Sequence, residues 1–352
     1  MEKKKLKIAV LLGGNSSERD VSVVTGNAII DGLKEAGHDV IGIDTALGAN
    51  QLPPPEKHDL PLVKEEPPEL KDLAGLEGET TIQTISSPDL KDVDLVFIAL
   101  HGGAGENGTI QALLDLMEMP YTGSGVLSSA VAMDKLAAKR IVVAAGVETP
   151  DYFIKRSTDI TNEIELIRWV EESVGYPVVI KPNDQGSSVG LSIVESSDVL
   201  FEKAREASKY SDKVLFEKFI AGRELTVSIL GNKPLPVAEV KPKDGYYDYK
   251  HKYTPGLADK TIPAELTAEE TERIQKLALL AFDALDCKGY ARIDFRMSPD
   301  GTLYFLEANT LPGMTPTSLV PKAAKAAGIG FPELLDRIAR LALEDYEKRV
   351  KS

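Results

Sequence analysis

The sequence predicts an α/β chain of more than one domain, opening on a doubly wound parallel sheet and turning to α+β in its C-terminal part. Three observations carry this expectation. Short apolar runs alternate with helical patterns over the first hundred residues, as strand–helix–strand units require. The 352 residues exceed what one core usually serves. Near the C terminus, two strand-like runs flank Asp300-Gly301, a dipeptide suited to a two-residue hairpin loop because both positions tolerate positive φ.

In chain order, Lys7 to Leu12 reads as a buried strand. Gly13 to Glu18 is the turn into a helix through Lys34, with Gly37 as its terminator. His38 to Asp44 and Asp94 to Leu100 are further strands. Ligands of parallel sheets sit at the carboxyl ends of strands, where Ser16 to Glu18 and His101 to Gly108 fall. Ala46 to Leu73 is rich in proline and charge and reads as an insertion.

A second segment begins near Gly123. It carries an expected helix from Asp134 to Ala145 closed by Gly146, strands at Tyr176 to Pro182 and Leu191 to Val194, a helix from Ser196 to Tyr210, and a strand from Val214 to Ile220. The third holds a strand at Leu225 to Leu230, a polar loop from Lys241 to Lys260, and a helix from Ala268 to Asp286 opened by the capping box Thr267 to Glu270. Phe331 to Arg349 is a final amphipathic helix, and no internal repeat is visible.

Composition narrows the function classes. With 55 acidic and 41 basic residues, the formal charge of −14 opposes non-specific association with nucleic acid or anionic membrane, so an anionic substrate needs local lysines or metal ions. Met1 to Lys5 resembles the start of a secretory leader, but the apolar run Ile8 to Leu12 is too short and ends in two glycines; a soluble cytoplasmic protein is expected. No apolar stretch approaches the roughly 20 residues that span a bilayer. Cys287, the only cysteine, is read as a buried structural thiol.

The hairpin carries the clearest chemistry. With Asp300-Gly301 as the loop, opposed residue numbers sum to 601, so Asp294 faces Glu307 and Arg292 faces Asn309. Period-two alternation puts these four on one face and Ile293, Phe295, Leu306 and Ala308 on the other. Directly opposed carboxylates repel unless a cation lies between them, and all-oxygen ligands suit magnesium; the alternative is an exposed hairpin with a surface charge cluster. Thr310 to Met314 follows, a glycine loop able to offer backbone N–H groups to an oxyanion.

Other motifs admit two readings each. Gly186-Ser-Ser-Val-Gly190 either closes over phosphates or is an ordinary hairpin loop. Lys135 at a helix start and Lys181 at a strand end either meet an anionic partner or are solvated. His101 and Glu106 in a glycine-dense loop serve as base or ligand contact, or as incidental polar groups. Glu18 in a first helical turn is equally ambiguous, and Tyr247 to Tyr253 is a surface loop or a lid. Gly13-Gly14 lacks the G-x-G-x-x-G pattern, which discounts nicotinamide binding.

Taken in order, Leu11 to Ser22, His101 to Gly108, Tyr121 to Gly125, Met133-Asp-Lys135, Lys181-Pro with Gly186 to Gly190, Tyr247 to Tyr253, Gly289 to Asp294 and Glu307 to Met314 resemble the D-alanine–D-alanine ligases of the ATP-grasp superfamily, and the likeness covers nearly the whole chain. It implies three domains: residues 1–123, an N-terminal Rossmann-like substrate domain; 124–216, a central lid domain; and 217–352, a C-terminal domain with the metal site and ω-loop. It further implies ATP-dependent joining of two D-alanine molecules through a D-alanyl phosphate, supplying peptidoglycan precursors for the cell wall, in a cytoplasmic homodimer.

Residue by residue, the resemblance implies that Asp294, Glu307 and Asn309 bind two magnesium ions, for which manganese can substitute. Lys135 and Lys181 match triphosphate lysines, and Ser188 the lid over the phosphates. Glu217, Lys218 and Ile220 match the strand bordering the adenine, and Glu224 the ribose contact. Glu18, with His101 nearby, matches the site of the first D-alanine, and Ser318 with Lys252 that of the second carboxylate. Arg292 and the Gly313 N–H match the oxyanion stabilisers. Ser187 and Tyr253 resemble partners of Glu18 in a network closing the ω-loop, and Tyr253 implies dipeptide rather than depsipeptide. Asn107 departs from the family's usual aspartate, and residues 46–73 align with no motif. The rivals are another ATP-grasp carboxylate–amine or D-hydroxy acid ligase, and a nucleotide-binding regulatory protein without turnover.

Overall fold

The first sheet forms where the sequence packs apolar residues without alternation. In the computed structural model, which describes residues 4–47, 78–243 and 256–351, strands β1 (Lys7–Leu12), β2 (Asp39–Asp44) and β3 (Leu95–Ile98) pair in parallel in the order β2-β1-β3. Ile8 to Leu12 are all buried, as a strand covered on both faces demands. Helix Arg19–Glu35 lies so close to β1 that a Cβ on Gly26 would sit 2.4 Å from Leu12 Cβ.

Helix Phe331–Lys351, from the far end of the chain, packs into this same core through Leu334, Leu335, Ile338, Ala339 and Ala342. Its Asp336 accepts from His38 Nε2 at 3.1 Å and pairs with Arg340 at 2.7 Å, while the His38 Nδ1 accepts the Leu6 N–H. Buried polar groups stand only with partners, and here each is supplied.

The second sheet is antiparallel, β4 (Tyr152–Arg156), β7 (Lys213–Lys218), β5 (Val178–Pro182) and β6 (Ser192–Val194) in that order. Phe153 stacks on Phe216 at 4.7 Å, and helices Glu163–Ser173 and Leu200–Ala207 cover this core. The helix expected over Ser196 to Tyr210 is shorter, with a 3-10 turn at Ser197–Val199 leading into it.

The third sheet runs β11 (Ala258–Thr261), β10 (Ala238–Pro242), β8 (Arg223–Leu230), β12 (Tyr290–Met297), β13 (Leu303–Asn309), with β9 (Lys233–Pro234) beside β8, all antiparallel. Helices Lys135–Ala144 and Ala268–Ala284 bury their apolar faces on it. The capping box is present, with Thr267 and Glu270 each accepting the other's backbone N–H.

The hairpin differs from expectation in one instructive way. Its loop has three residues, because Gly301 N–H donates to Ser298 O and Ser298 N–H to Thr302 O, with Gly301 at φ +86°. Near the turn the pairs are therefore Phe295 with Phe305 and Met297 with Leu303. A bulge beyond Phe295 then takes up one residue of β13 and restores Asp294 opposite Glu307 and Arg292 opposite Asn309. Leu306 is that residue. It faces the cleft with Glu307 rather than the core, and Phe305 takes the core position.

The 247–253 loop, with Tyr247, Lys252 and Tyr253, lies outside the described residues, as does the 46–73 stretch beyond Leu47. Among the described residues, no helix is long and apolar enough to cross a membrane.

Cys287 is buried beside Ser128, and burial raises its thiol pKa, which keeps the reactive thiolate scarce. A disulfide reagent at pH 8 should modify folded protein far more slowly than urea-unfolded protein, where one thiol per chain should react at once; equal rates would place Cys287 at an open surface.

Candidate active site

A cleft of about 740 Å³ opens between the second and third sheets. Strand β5 and its following loop bring Lys181 and Ser188 to it, β7 and the turn after it bring Glu217, Lys218 and Ile220, and β8 brings Glu224. Arg292, Asp294 and Glu307 close it from β12 and β13, and Lys135 enters from the start of its helix. Ten residues singled out in the sequence thus converge on one cavity. Leu306, Leu319, Val240 and Arg296 line it as well, and no sequence signal marked them. Arg296 donates to Ile220 O at 3.1 Å and meets Glu224 at 3.3 Å, which fixes that rim.

The charges are held in a chain. Arg292 forms a two-pronged pair with Asp294, both contacts at 2.8 Å, and Thr226 donates to the same carboxylate at 2.6 Å. Lys135 lies 3.4 Å from Glu307 and donates to Gln185 O at 2.6 Å. It can stand at a helix N terminus because Asp134, the cap, accepts from Ala137 N–H and offsets the dipole. Burial opposes ionisation of Asp134, but bonds from Asn183, Ala137 and Lys213 outweigh it and hold the carboxyl below its usual range.

Deeper in the cleft, buried Glu217 binds two ammonium groups, Lys181 at 2.5 Å and Lys139 on its other oxygen. Lys139 is fully buried, and the sequence reading passed over it. Its position four residues after Lys135, on the helix stripe of Leu136 and Val142, was the available signal. Burial pushes Lys139 down to about 8, against the pull of Glu217 and with the repulsion of Lys181. For Lys181 burial is again the largest influence, but Glu217 and Glu307 overcome it and raise the ammonium. For Glu217 the two lysines overcome burial and keep the carboxylate ionised.

The first sheet meets the β5–β6 loop beside the cleft through its strand ends. Glu18, buried at the start of helix Arg19–Glu35, accepts a hydrogen bond from Ser187 in the loop between β5 and β6. Ser187 and Ser188 both adopt left-handed φ, +48° and +60°, a conformation costing on the order of 1 kcal/mol or more per residue. A Cβ on Gly186 would lie 2.6 Å from Glu18 Oε2 and one on Gly102 2.9 Å from it, so both positions need glycine for this approach. Ser16 links the N–H of Glu18 to the carbonyl of His101, whose ring meets Thr25 at 3.1 Å and Glu106 at 3.7 Å. At the opposite end, Gly313 lies against Ser318, which caps the approach to helix Leu319–Ala326 and accepts the Thr315 N–H at 3.1 Å.

Asp294, Glu307 and Asn309 offer only oxygen donors, the chemistry of a hard divalent ion. Among the described residues no three His, Cys, Asp or Glu side chains form a full cage. The two carboxylates at the cleft suit an ion that completes its shell with phosphate oxygens and water, while Asn309 Oδ1 accepts the Leu311 N–H at 3.1 Å.

The family described as "D-ala D-ala ligase N-terminus" matches residues 7–124, and "D-ala D-ala ligase C-terminus" matches residues 141–340. Similar curated proteins include the D-alanine--D-alanine ligases of Halalkalibacterium halodurans, 41% identical over 96% of this chain and 100% of the relative, and of Desulforamulus reducens, 42% identical over 96% and 99%. Among solved structures, the D-alanine--D-alanine ligase of Bacillus anthracis complexed with ATP matches with a TM-score of 0.74 and 34% identity over 99% of this chain and 100% of that one. The VanG D-Ala:D-Ser ligase of Enterococcus faecalis matches with a TM-score of 0.77 and 31% identity over 96% and 100%.

The Ser187–Glu18 bond ties the β5–β6 loop to the first sheet, so Ser187→Ala should loosen the loop without unfolding the chain. Hydrogen exchange at residues 186–190 should accelerate while the β1 amides stay protected; unchanged loop exchange would show that the serine does not hold it.

Proposed function

This chain belongs to the D-alanine–D-alanine ligase family, and from that premise we propose that it joins two D-alanine molecules into D-alanyl-D-alanine with ATP as the energy source. The observation that carries the reading is the convergence of Lys135, Lys181, Asp294 and Glu307 on one cleft whose covering loop is bonded to Glu18 of the first sheet. On this reading the chain has three domains, bounded near residues 123 and 216, and the first is joined to the cleft's covering loop through Glu18.

In the first step a carboxylate oxygen of one D-alanine attacks the γ-phosphorus of ATP, the bond to the bridging oxygen breaks, and ADP leaves. A D-alanyl phosphate results. In the second, the amine of another D-alanine attacks the acyl carbon, the tetrahedral intermediate collapses, and inorganic phosphate departs as the amine loses a proton. Phosphoryl transfer depends chiefly on positioning and charge neutralisation, which a cleft bearing these lysines supplies.

Lys135 and Lys181 hold the triphosphate and Ser188 covers it. Glu217, Lys218 and Ile220 border the adenine, Glu224 meets the ribose, and Leu306 offers an apolar wall. Glu18, with His101 behind it, takes the ammonium of the first D-alanine, while Ser318 and Lys252 take the carboxylate of the second. Arg292 and the Gly313 N–H stabilise the developing oxyanion. Ser187 and Tyr253 complete the closure over Glu18 and favour an amine over a hydroxyl acceptor. Asp294, Glu307 and Asn309 would hold two magnesium ions, which neutralise phosphate charge when bound. A cytoplasmic homodimer completes the reading.

ADP release with Mg-ATP and D-alanine, D-serine, D-lactate or L-alanine, with products weighed by mass spectrometry, tests the substrate. Turnover confined to D-alanine supports the reading; a different preferred acceptor keeps the mechanism and replaces the substrate, and no release with any of them rejects the ligase. Asp294→Asn or Glu307→Gln should lower kcat by at least about 100-fold, the scale of one lost electrostatic stabiliser, with an unchanged circular dichroism spectrum. Near-normal turnover in either would remove its metal role.

A further inference from the structure

We infer that Lys139 is a positioning residue for the nucleotide, a buried counter-charge that leaves the Lys181 ammonium free to meet phosphate. The inference rests on the reading that ATP occupies the cleft, and its geometry stands independently. Glu217 holds Lys139 on one oxygen and Lys181 on the other. Two cations around one anion leave a net positive charge, and the two differ in access. Lys139 has no exposed side-chain surface, while Lys181 borders the cleft. The surplus charge is thereby presented through Lys181.

Without Lys139, Glu217 would neutralise Lys181 alone, and an approaching phosphate would compete with a buried carboxylate for it. Interactions of this kind are strong where water is excluded, and either sign matters. The second contact of Lys139 gives it a structural reach. Its ammonium donates to Thr149 Oγ1 at 2.6 Å, and that hydroxyl donates to Phe305 O at 2.9 Å. Phe305 lies two residues before Glu307 on β13, so one side chain joins the lysine side of the cleft to the carboxylate side. The groups facing Lys139 are Glu217 from β7, Lys181 from β5 and Glu307 from β13, with the Tyr152 ring 5.8 Å away. Neutralising it leaves Glu217 still paired with Lys181 and Thr149 still bonded to Phe305, so the carboxylate keeps one counter-charge although its other oxygen loses a partner.

Calorimetric titration of ATP, with magnesium, and of adenosine into the wild-type protein, Lys139→Met and Lys139→Arg tests the role. The methionine variant should bind ATP at least about tenfold more weakly, the scale of one charge-assisted contact, while adenosine affinity stays within about twofold. Lys139→Arg should recover most of the loss. If the methionine variant does not fold, Lys139→Gln, which keeps a hydrogen-bonding group beside Glu217, should show the same split. Equal weakening for ATP and adenosine would reduce Lys139 to a packing role and overturn the inference, as would unchanged ATP binding. Absence of ATP binding by the wild-type protein would instead overturn the nucleotide reading, and this inference with it.

Discussion

Two carboxylates facing each other across β12 and β13 set the conditions for everything built around them. Opposed side chains in an antiparallel pair stand about 5 Å apart, close enough that like charges destabilise the sheet unless cations answer them. Arg292 answers Asp294 from the same strand, and Lys135 answers Glu307 from a helix that precedes the second sheet. Because Lys135 also donates to Gln185 O, satisfying Glu307 draws the β5–β6 loop toward β13. The cleft is the space between those demands, and Glu217 and Lys181 line its floor with Lys139 buried behind them, in the same alternation of sign.

Much of this was legible in the sequence because it rests on local rules. The parallel sheet followed from unbroken apolar runs, and the family resemblance is borne out by full-length relatives. The facing of Asp294 with Glu307 came out as expected although the loop length was wrong. A third loop residue shifted the register by one, and the bulge at Leu306 shifted it back. An Asp-Gly pair favours a tight turn but does not fix its length, since Pro299 joins it here, and a bulge depends on neighbours that strand alternation does not describe.

What stayed hidden was long-range. Glu18 and Ser187 lie 169 residues apart, and nothing in either segment names the other; only the resemblance joined them. Lys139 was silent for a related reason. A lysine on a helix is ordinarily solvated, and its burial is decided by Glu217 on a strand far along the chain. Arg296 and Leu306 likewise take their places at the cleft from sheet order rather than from any local pattern.

Helix Phe331–Lys351 completes a core begun by Leu6 and Ile8, so the first sheet needs the last helix. Synthesis on the ribosome runs the other way, and domains ordinarily fold in the order they emerge. Here the earliest strands leave the exit tunnel with part of their apolar cover unmade, and they wait while the second and third sheets are translated. The opening segment of this polypeptide is therefore among the last to reach its final packing, and its exposed face is what cellular chaperones would meet in the interval.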